Sequence, residues 1–305
     1  MRSIREIYDA GGGSPVYSFE FFTPRTAEAE AQFFGRTFPA LLRFSPAYCS
    51  VTYGAGGSTR EKTVSMVDRI QREAEVPCMM HLTCVGATRD EIGALLDTAR
   101  ALGIRNLLAL RGDPPAGTAA FVPSPGGLRY AHELVSLARE RGGFAIGVAG
   151  FPEGHMECRE GKQADWGRLK AKIDCGADFV ITQLFFENAW FYEFRDYLVD
   201  RLGVRVPIVP GVIPIVSGAQ IRRILGLCGA SLPEALRKEL DALGDHDDAV
   251  AAFGIEHAAA QCRDLLRHGV PGIHFYTMNR AQPVMLILDR LGVSIRGRTP
   301  AGGAP

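Results

Sequence analysis

Val16-Tyr17-Ser18-Phe19-Glu20-Phe21-Phe22-Thr23-Pro24-Arg25-Thr26 reads as a strand that runs out into a turn without glycine. The β-branched and aromatic residues from Val16 to Phe22 favour extended backbone. A doubly wound dinucleotide-binding sheet would open its first helix on G-x-G-x-x-G. Phe21-Phe22-Thr23-Pro24 does not supply that turn, and the glycine clusters Gly11-Gly12-Gly13 and Gly54-Ala55-Gly56-Gly57 lack its spacing. Seven further runs of the same kind follow: Tyr48 to Tyr53, Cys78 to Thr83, Asn106 to Leu110, Phe144 to Ala149, Phe179 to Phe185, Val206 to Val212 and Gly272 to Thr277. Most are continuously apolar, as parallel strands covered on both faces must be. Eight strand-then-helix units in 305 residues predict a single-domain α/β protein, a closed (β/α)8 TIM barrel.

The stretches between the runs carry helix signals. Ser58-Thr59-Arg60-Glu61 and Thr88-Arg89-Asp90-Glu91 have capping-box spacing, with a hydroxyl and a carboxylate placed to satisfy two orphan amides. Val64, Met66, Val67 and Ile70 fall on one helical face. Gly103 and Gly176 stand where left-handed helix exits are needed. The barrel is expected over residues 15–293, after an N-terminal extension, 1–14. A helical insertion is expected at about 229–253, and the Gly/Pro-rich tail 294–305 is expected to be disordered.

Lys+Arg and Asp+Glu both number 34, so there is no net field to hold a polyanion, and nucleic acid is not an expected partner. No run approaches the ~18 apolar residues of a membrane span, and Met1 to Tyr8 is not a signal peptide. The seven cysteines are scattered without a C-x-x-C pair, so free thiols in a cytoplasmic protein are expected.

In a barrel the active site lies at the C-terminal ends of the strands. Glu20 falls late in the first strand between phenylalanines. Burial there would raise its pKa and suit a general acid, the alternative being a structural ion pair. Thr52, His81, Thr83, Asp113, Gln183 and Asn279 fall at or just past other strand ends, although each alone reads equally well as a cap or loop residue. Arg111-Gly112-Asp113 after the fourth strand combines a guanidinium, a flexible glycine and a carboxylate, a set able to hold a pyrophosphate beside a heterocycle. The lysines, Lys62, Lys162, Lys170, Lys172 and Lys238, fall on helices rather than strand ends, which disfavours a Schiff-base aldolase. His81, His155 and His274 lie on different strands or loops and show no H-x-H pair, so no metal site is expected.

Seven stretches taken in order resemble the methylenetetrahydrofolate reductase family. They are Ser18-Phe19-Glu20-Phe21-Phe22, Val51-Thr52-Tyr53-Gly54-Ala55, His81-Leu82-Thr83-Cys84, Ala109 to Pro115, Pro152-Glu153-Gly154-His155, Ile181 to Phe186 and His274 to Arg280. The resemblance implies a (β/α)8 barrel with noncovalent FAD, which takes electrons from NADH or NADPH and passes them to methylenetetrahydrofolate in a ping-pong cycle. It implies Glu20 as the acid that opens the five-membered ring before hydride arrives, and Asp113 as a carboxylate that tunes the flavin. FAD would be met by Thr52, His81, Arg111, Gly112, Asp113 and Tyr130. Ala131, Phe151, His155, Asp165 and Lys172 would complete its site; apart from the family, Asp165 and Lys172 read as a solvated helix face. Folate would be met by Asp113, Gln183, Gln220, Tyr276 and Arg280. Phe151 stands where relatives often have tyrosine, and Ile224 where several bacterial members have a phenylalanine that stacks on nicotinamide. The resemblance ends near Gly292, so the regulatory domain of eukaryotic members is not expected, and a homo-oligomer is. Other readings weighed are a flavin barrel that oxidises an amino acid such as proline, and a barrel that binds folate or flavin without turnover.

Overall fold

The computed structural model describes residues 1–10, 14–54, 60–114 and 121–295. It is a (β/α)8 barrel. Its strands are β1 (Val16–Phe21), β2 (Tyr48–Val51), β3 (Cys78–Thr83), β4 (Asn106–Leu110), β5 (Ala145–Gly150), β6 (Phe179–Thr182), β7 (Ile208–Val209), β8 (Gly211–Val212) and β9 (Gly272–Tyr276). All pairings are parallel, in the order β7-β6-β5-β4-β3-β2-β1-β9-β8. The two ends of that order are consecutive in the chain, separated only by Pro210, so β7 and β8 together fill one strand position and close the ring. The single run expected from Val206 to Val212 is therefore split. Proline has no N–H to give the ladder, and the Pro210 carbonyl still accepts from His274 N at 3.0 Å. The sixth run also stops early, at Thr182, with Leu184, Phe185 and Phe186 buried in the loop beyond it.

The helices are α1 (Ile4–Asp9), α2 (Ala27–Gln32), α3 (Phe38–Leu42), α4 (Arg60–Ala74), α5 (Arg89–Ala101), α6 (Ala131–Arg141), α7 (Lys162–Asp174), α8 (Asn188–Asp196), α9 (Gly218–Cys228), α10 (Glu234–Leu243), α11 (Asp247–Arg267) and α12 (Ala281–Arg290). Val64, Met66, Val67 and Ile70 are the buried face of α4, as their spacing predicts. The capping box at Thr88 and Glu91 starts α5. Gly103 and Gly176 both have positive φ. The box expected at Ser58 and Thr59, most of both glycine clusters, Pro115 and the tail from 296 lie outside the described residues.

Strand residues alternate between two cores. Phe19, Phe21, Cys49, Val51, Met80 and Leu107 face outward into the main layer beneath the helices. Tyr48, Met79, Leu108, Phe179, Ile181 and Val209 face inward. The inner core is closed from below by α1. Its capping box joins Ser3 to Glu6, and its Ile4 is fully buried against the inward residues, with Ile4 N donating to Asn106 Oδ1 at 2.7 Å. Beside it, buried Asp178 accepts from Arg5, Arg139 and Ile146 N. A third cluster, including Ile213, Ile221, Ile224, Leu236 and Leu240, packs α9 and α10 beside the mouth.

Because Ile4 seals the barrel floor, Ile4→Ala should destabilise the fold by about 2–4 kcal/mol, the usual cost of such a cavity, and Ile4→Met by less than about 1.5 kcal/mol. Urea denaturation of both variants measures this; equal and negligible shifts would mean that α1 is not part of the barrel core.

Candidate active site

Glu20 is placed by β1 on the inward face, at the register of Ser50 on β2 and Tyr276 on β9. Its side chain is 12% exposed. Two imidazoles converge on one of its oxygens: His81 Nε2 from β3 at 3.3 Å, and His274 Nε2 from β9 at 3.4 Å. The His274 contact is a hydrogen bond. The His81 contact is close in distance but misaligned, leaving His81 Nε2 without a hydrogen-bond partner. Behind His274, its Nδ1 lies 2.8 Å from Ser18 Oγ. Burial pushes the Glu20 carboxyl up, but the His81 and His274 imidazoles outweigh it and hold the group down at about 2. This corrects the direction expected from the phenylalanine flanks. Those rings, Phe19 and Phe21, point away from Glu20 into the outer layer.

Around this centre, Ser50 Oγ and Thr83 Oγ1 are also buried without hydrogen-bond partners. Buried polar atoms are normally satisfied, so a set of three on neighbouring strands marks a place where a polar ligand or water completes the site. Thr52 closes the end of β2, its N–H donating to Phe21 O and its carbonyl accepting from Thr23 and Thr63.

On one side of the mouth the residues after β4 and β5 come together. Arg111 grips Glu157 through both terminal nitrogens, at 2.5 and 2.9 Å, and Glu157 N donates to His155 Nδ1. Phe151 meets the His155 ring edge-on, with centroids 4.7 Å apart. Gly112 has φ of +88°, and a Cβ there would lie 2.6 Å from Val85 and 2.9 Å from Thr83, so only glycine fits. Asp113 is exposed beside it. Lys172 reaches inward from α7 to donate to Ala149 O at 2.8 Å. It is therefore not on a solvated face: burial pulls its ammonium down to about 8, against the opposing pull of Asp165. Burial likewise raises the Asp165 carboxyl and lowers the His155 imidazole. Tyr130 is half exposed at the start of α6, followed by Ala131, and its carbonyl accepts from Cys84.

The opposite side is built from β6 and β9. Gln183 follows β6, its side-chain carbonyl accepting from Leu184 N. Tyr276 crosses the seam to donate to Thr182 O at 2.5 Å. Gly211 makes room, since a Cβ there would lie 2.6 Å from the Tyr276 ring. Gln220 on α9 bonds back to its own loop, accepting from Val216 N and donating to Pro214 O. Arg280 is exposed at the start of α12. Between β9 and α12, Met278 and Asn279 both have positive φ, and the Asn279 amide pairs with both backbone groups of Phe22. Among the described residues no cluster of His, Cys, Asp and Glu suits a metal, and no helix is long and apolar enough to cross a membrane.

The sequence reading missed His274, Ser18 and Glu157 as members of the site. His274 was visible as a histidine two residues before Tyr276, and Ser18 as a hydroxyl two residues before Glu20, both on the inward parity. Only barrel closure shows that they meet.

Residues 3–292 match the family model described as methylenetetrahydrofolate reductase. The chain is 39% identical over 291 residues to methylenetetrahydrofolate reductase (NADH) 1 of Arabidopsis thaliana, covering 92% of this chain and 49% of that one. It is 37% identical over 276 residues to the 5,10-methylenetetrahydrofolate reductase of Escherichia coli, covering 90% of each. It thus spans about half the length of its plant and fission-yeast relatives, and most of the bacterial one. Among solved structures, a Clostridium thermocellum protein that binds two copies of 5-methyl-5,6,7,8-tetrahydrofolic acid shares the fold, with a TM-score of 0.59 at 15% identity over 91% of this chain and 94% of that one. With the family model covering nearly all of the barrel and every strand that builds its mouth, the chain belongs to the methylenetetrahydrofolate reductase family.

Proposed function

We propose that this chain is a cytoplasmic, FAD-dependent enzyme that reduces 5,10-methylenetetrahydrofolate to 5-methyltetrahydrofolate with electrons from NADH or NADPH. The observation that carries the reading is the Glu20 carboxylate, held at the barrel mouth by two imidazoles and facing a rim of unsatisfied polar atoms. A carboxylate so placed can take a proton from the imidazoles beside it and pass it to a ring nitrogen of the substrate. The ring C–N bond then opens with its electron pair on that nitrogen, leaving an iminium that accepts hydride.

The residues present fit a flavin dinucleotide. Gly112 lies where a side chain would collide with Thr83 and Val85, so the Arg111–Asp113 turn packs flush against the end of β3 and keeps its two charged side chains at the rim. Arg111 and Lys172 supply positive charge within the same loop cluster, and Phe151 offers a flat apolar wall. FAD, when bound, supplies hydride transfer. The chain's part is to orient and shield that chemistry. Asp113 sets a negative charge at the rim, where it opposes extra electron density on a neighbouring ring. Thr52, His81, Tyr130, Ala131, His155 and Asp165 complete the proposed cofactor side. Gln183, Gln220, Tyr276 and Arg280 form the proposed folate side, with Gln220 acting by shaping its loop unless its amide turns outward.

Glu20→Gln should slow the folate half-reaction by roughly 10²- to 10⁴-fold, the range for loss of a general acid. Reduction of the enzyme by NADH or NADPH needs no proton from Glu20 and should survive. Stopped-flow measurement of each half-reaction decides this, and equal slowing of both would reject the assignment of Glu20 as acid.

The purified chain should carry FAD, seen in its visible spectrum. Because Glu157 occupies the Arg111 guanidinium that a phosphate would use, Glu157→Gln should tighten FAD binding by up to about fivefold, in line with the ~0.2–1 kcal/mol of an exposed ion pair. Flavin fluorescence titration measures the change; weaker binding would show that Glu157 supports the cofactor instead of competing with it.

A further inference from the structure

We infer that His274 is the positioning residue behind Glu20: it holds the Glu20 carboxylate and resupplies its proton, while the Ser18 hydroxyl lets this buried ring change protonation state. The inference rests on the folate-reduction reading above for its chemistry, but its geometry stands independently.

His274 and Ser18 are both fully buried. An ionised carboxylate only accepts hydrogen bonds, so the His274 nitrogen facing Glu20 must carry the proton. In the neutral ring that leaves Nδ1 bare, and it must accept from Ser18. In the charged ring Nδ1 carries a proton and must donate to Ser18. A backbone carbonyl in the place of Ser18 would serve only the second state, and a backbone N–H only the first. A hydroxyl serves both by rotating. A second hydroxyl stands beside Ser18 for the turn: that of Tyr48, which lies 3.0 Å from the Tyr8 hydroxyl of α1. A string of polar groups thus runs up the barrel axis from Tyr8 through Tyr48, Ser18 and His274 to Glu20. The Tyr48 ring also stacks on His274, with centroids 6.1 Å apart at 16°.

The groups facing His274 are Ser18 and Glu20 from β1, Tyr48 from β2 and Tyr276 from its own strand, edge-on at 5.4 Å. β8 contributes only Gly211 and Val212, and His81 approaches the shared carboxylate from β3. Both imidazoles touch the shared carboxylate, and His274 is the one with a side-chain partner behind it, Ser18. In the cycle the charged ring gives up its Nε2 proton: the His274 Nε2–H bond breaks as the Glu20 Oε2–H bond forms, leaving a neutral ring whose Nδ1–H donates to Ser18. That O–H bond then breaks as the substrate nitrogen is protonated. Once product has left, one proton per turnover returns to the ring by way of Glu20, whose side chain opens on the mouth.

The test uses the full chain loaded with FAD. His274→Gln keeps a donor near Glu20 but cannot titrate, and should slow the folate half-reaction at least about tenfold and flatten its pH dependence. Ser18→Ala should slow it about three- to tenfold, and Ser18→Thr, which restores the hydroxyl, should recover it. Flavin reduction by NADH and folate affinity should stay within about twofold throughout. The proposal is overturned if His274→Gln leaves both the rate and the pH profile of the folate step unchanged, or slows both half-reactions alike. A second measurement needs no turnover: in ¹⁵N-histidine spectra of the isolated protein, His274 should carry its proton on Nε2, and Glu20→Gln should shift that Nε2 signal. A His274 held as the Nδ1–H form, indifferent to Glu20→Gln, would also overturn it. If instead Glu20→Gln leaves folate reduction intact, the functional reading fails, and the spectra still judge the Glu20–His274 coupling.

Discussion

A charge inside a closed barrel has to be answered by other inward side chains, because the strands on all sides leave it little water. Glu20 imposes this constraint here. Moving an ionised carboxylate out of water costs several kcal/mol unless it is paired and hydrogen-bonded. The partners come from β3 and β9, which sit on either side of the β1–β2 pair in the sheet order. Neither is near Glu20 in sequence. The cluster therefore exists only when the ring is closed and the register is correct, since a slip of one residue would turn Glu20 into the outer apolar layer.

The same alternation explains why chemistry and stability are stacked along one axis. The inward positions are apolar at the floor, where Ile4, Met79, Leu108 and Phe179 pack together. They turn polar on the way up through Tyr48 and Ser18 to His274, Glu20 and His81. The floor excludes water from below, so the electrostatic pull of the imidazoles on Glu20 is less screened than it would be in an open cleft. Beside the mouth the loop after β4 adds the Arg111 guanidinium and α7 sends in the Lys172 ammonium, features suited to an anionic ligand.

Much of this was legible in the sequence because it is local. The bounds of β3 and β4 follow from apolar runs, the buried face of α4 from helical spacing, and the position of Glu20 from its place late in the first run. The break at Pro210 was written in the chain as well, in Pro207-Ile208-Val209-Pro210-Gly211, since proline weakens any reading of a central strand. The sealing role of α1 was harder, because a single helical turn and a half gains its stability only from the barrel it plugs. The direction of the Glu20 shift was out of reach. Flanking phenylalanines suggested an apolar surrounding, but residues i−1 and i+1 of a strand face the opposite side, and what surrounds the carboxylate is set by strands more than 50 residues and more than 250 residues away. Lys172 was misread for a related reason: helical spacing places its backbone on a face but does not say that its long stem turns inward to Ala149.

The seam at Pro210 joins two strands of two residues each, and the ladder there lacks the donor that proline cannot provide. The Tyr276 phenol lies directly over this join, reaching from β9 across Gly211 to the carbonyl that ends β6. The ring thus has its shortest ladder at the place where the proposed folate side of the mouth is assembled. A side chain from the mouth does the mending there. One phenol, that of Tyr276, thus serves both the closure of the barrel and the shape of its mouth, as a clasp.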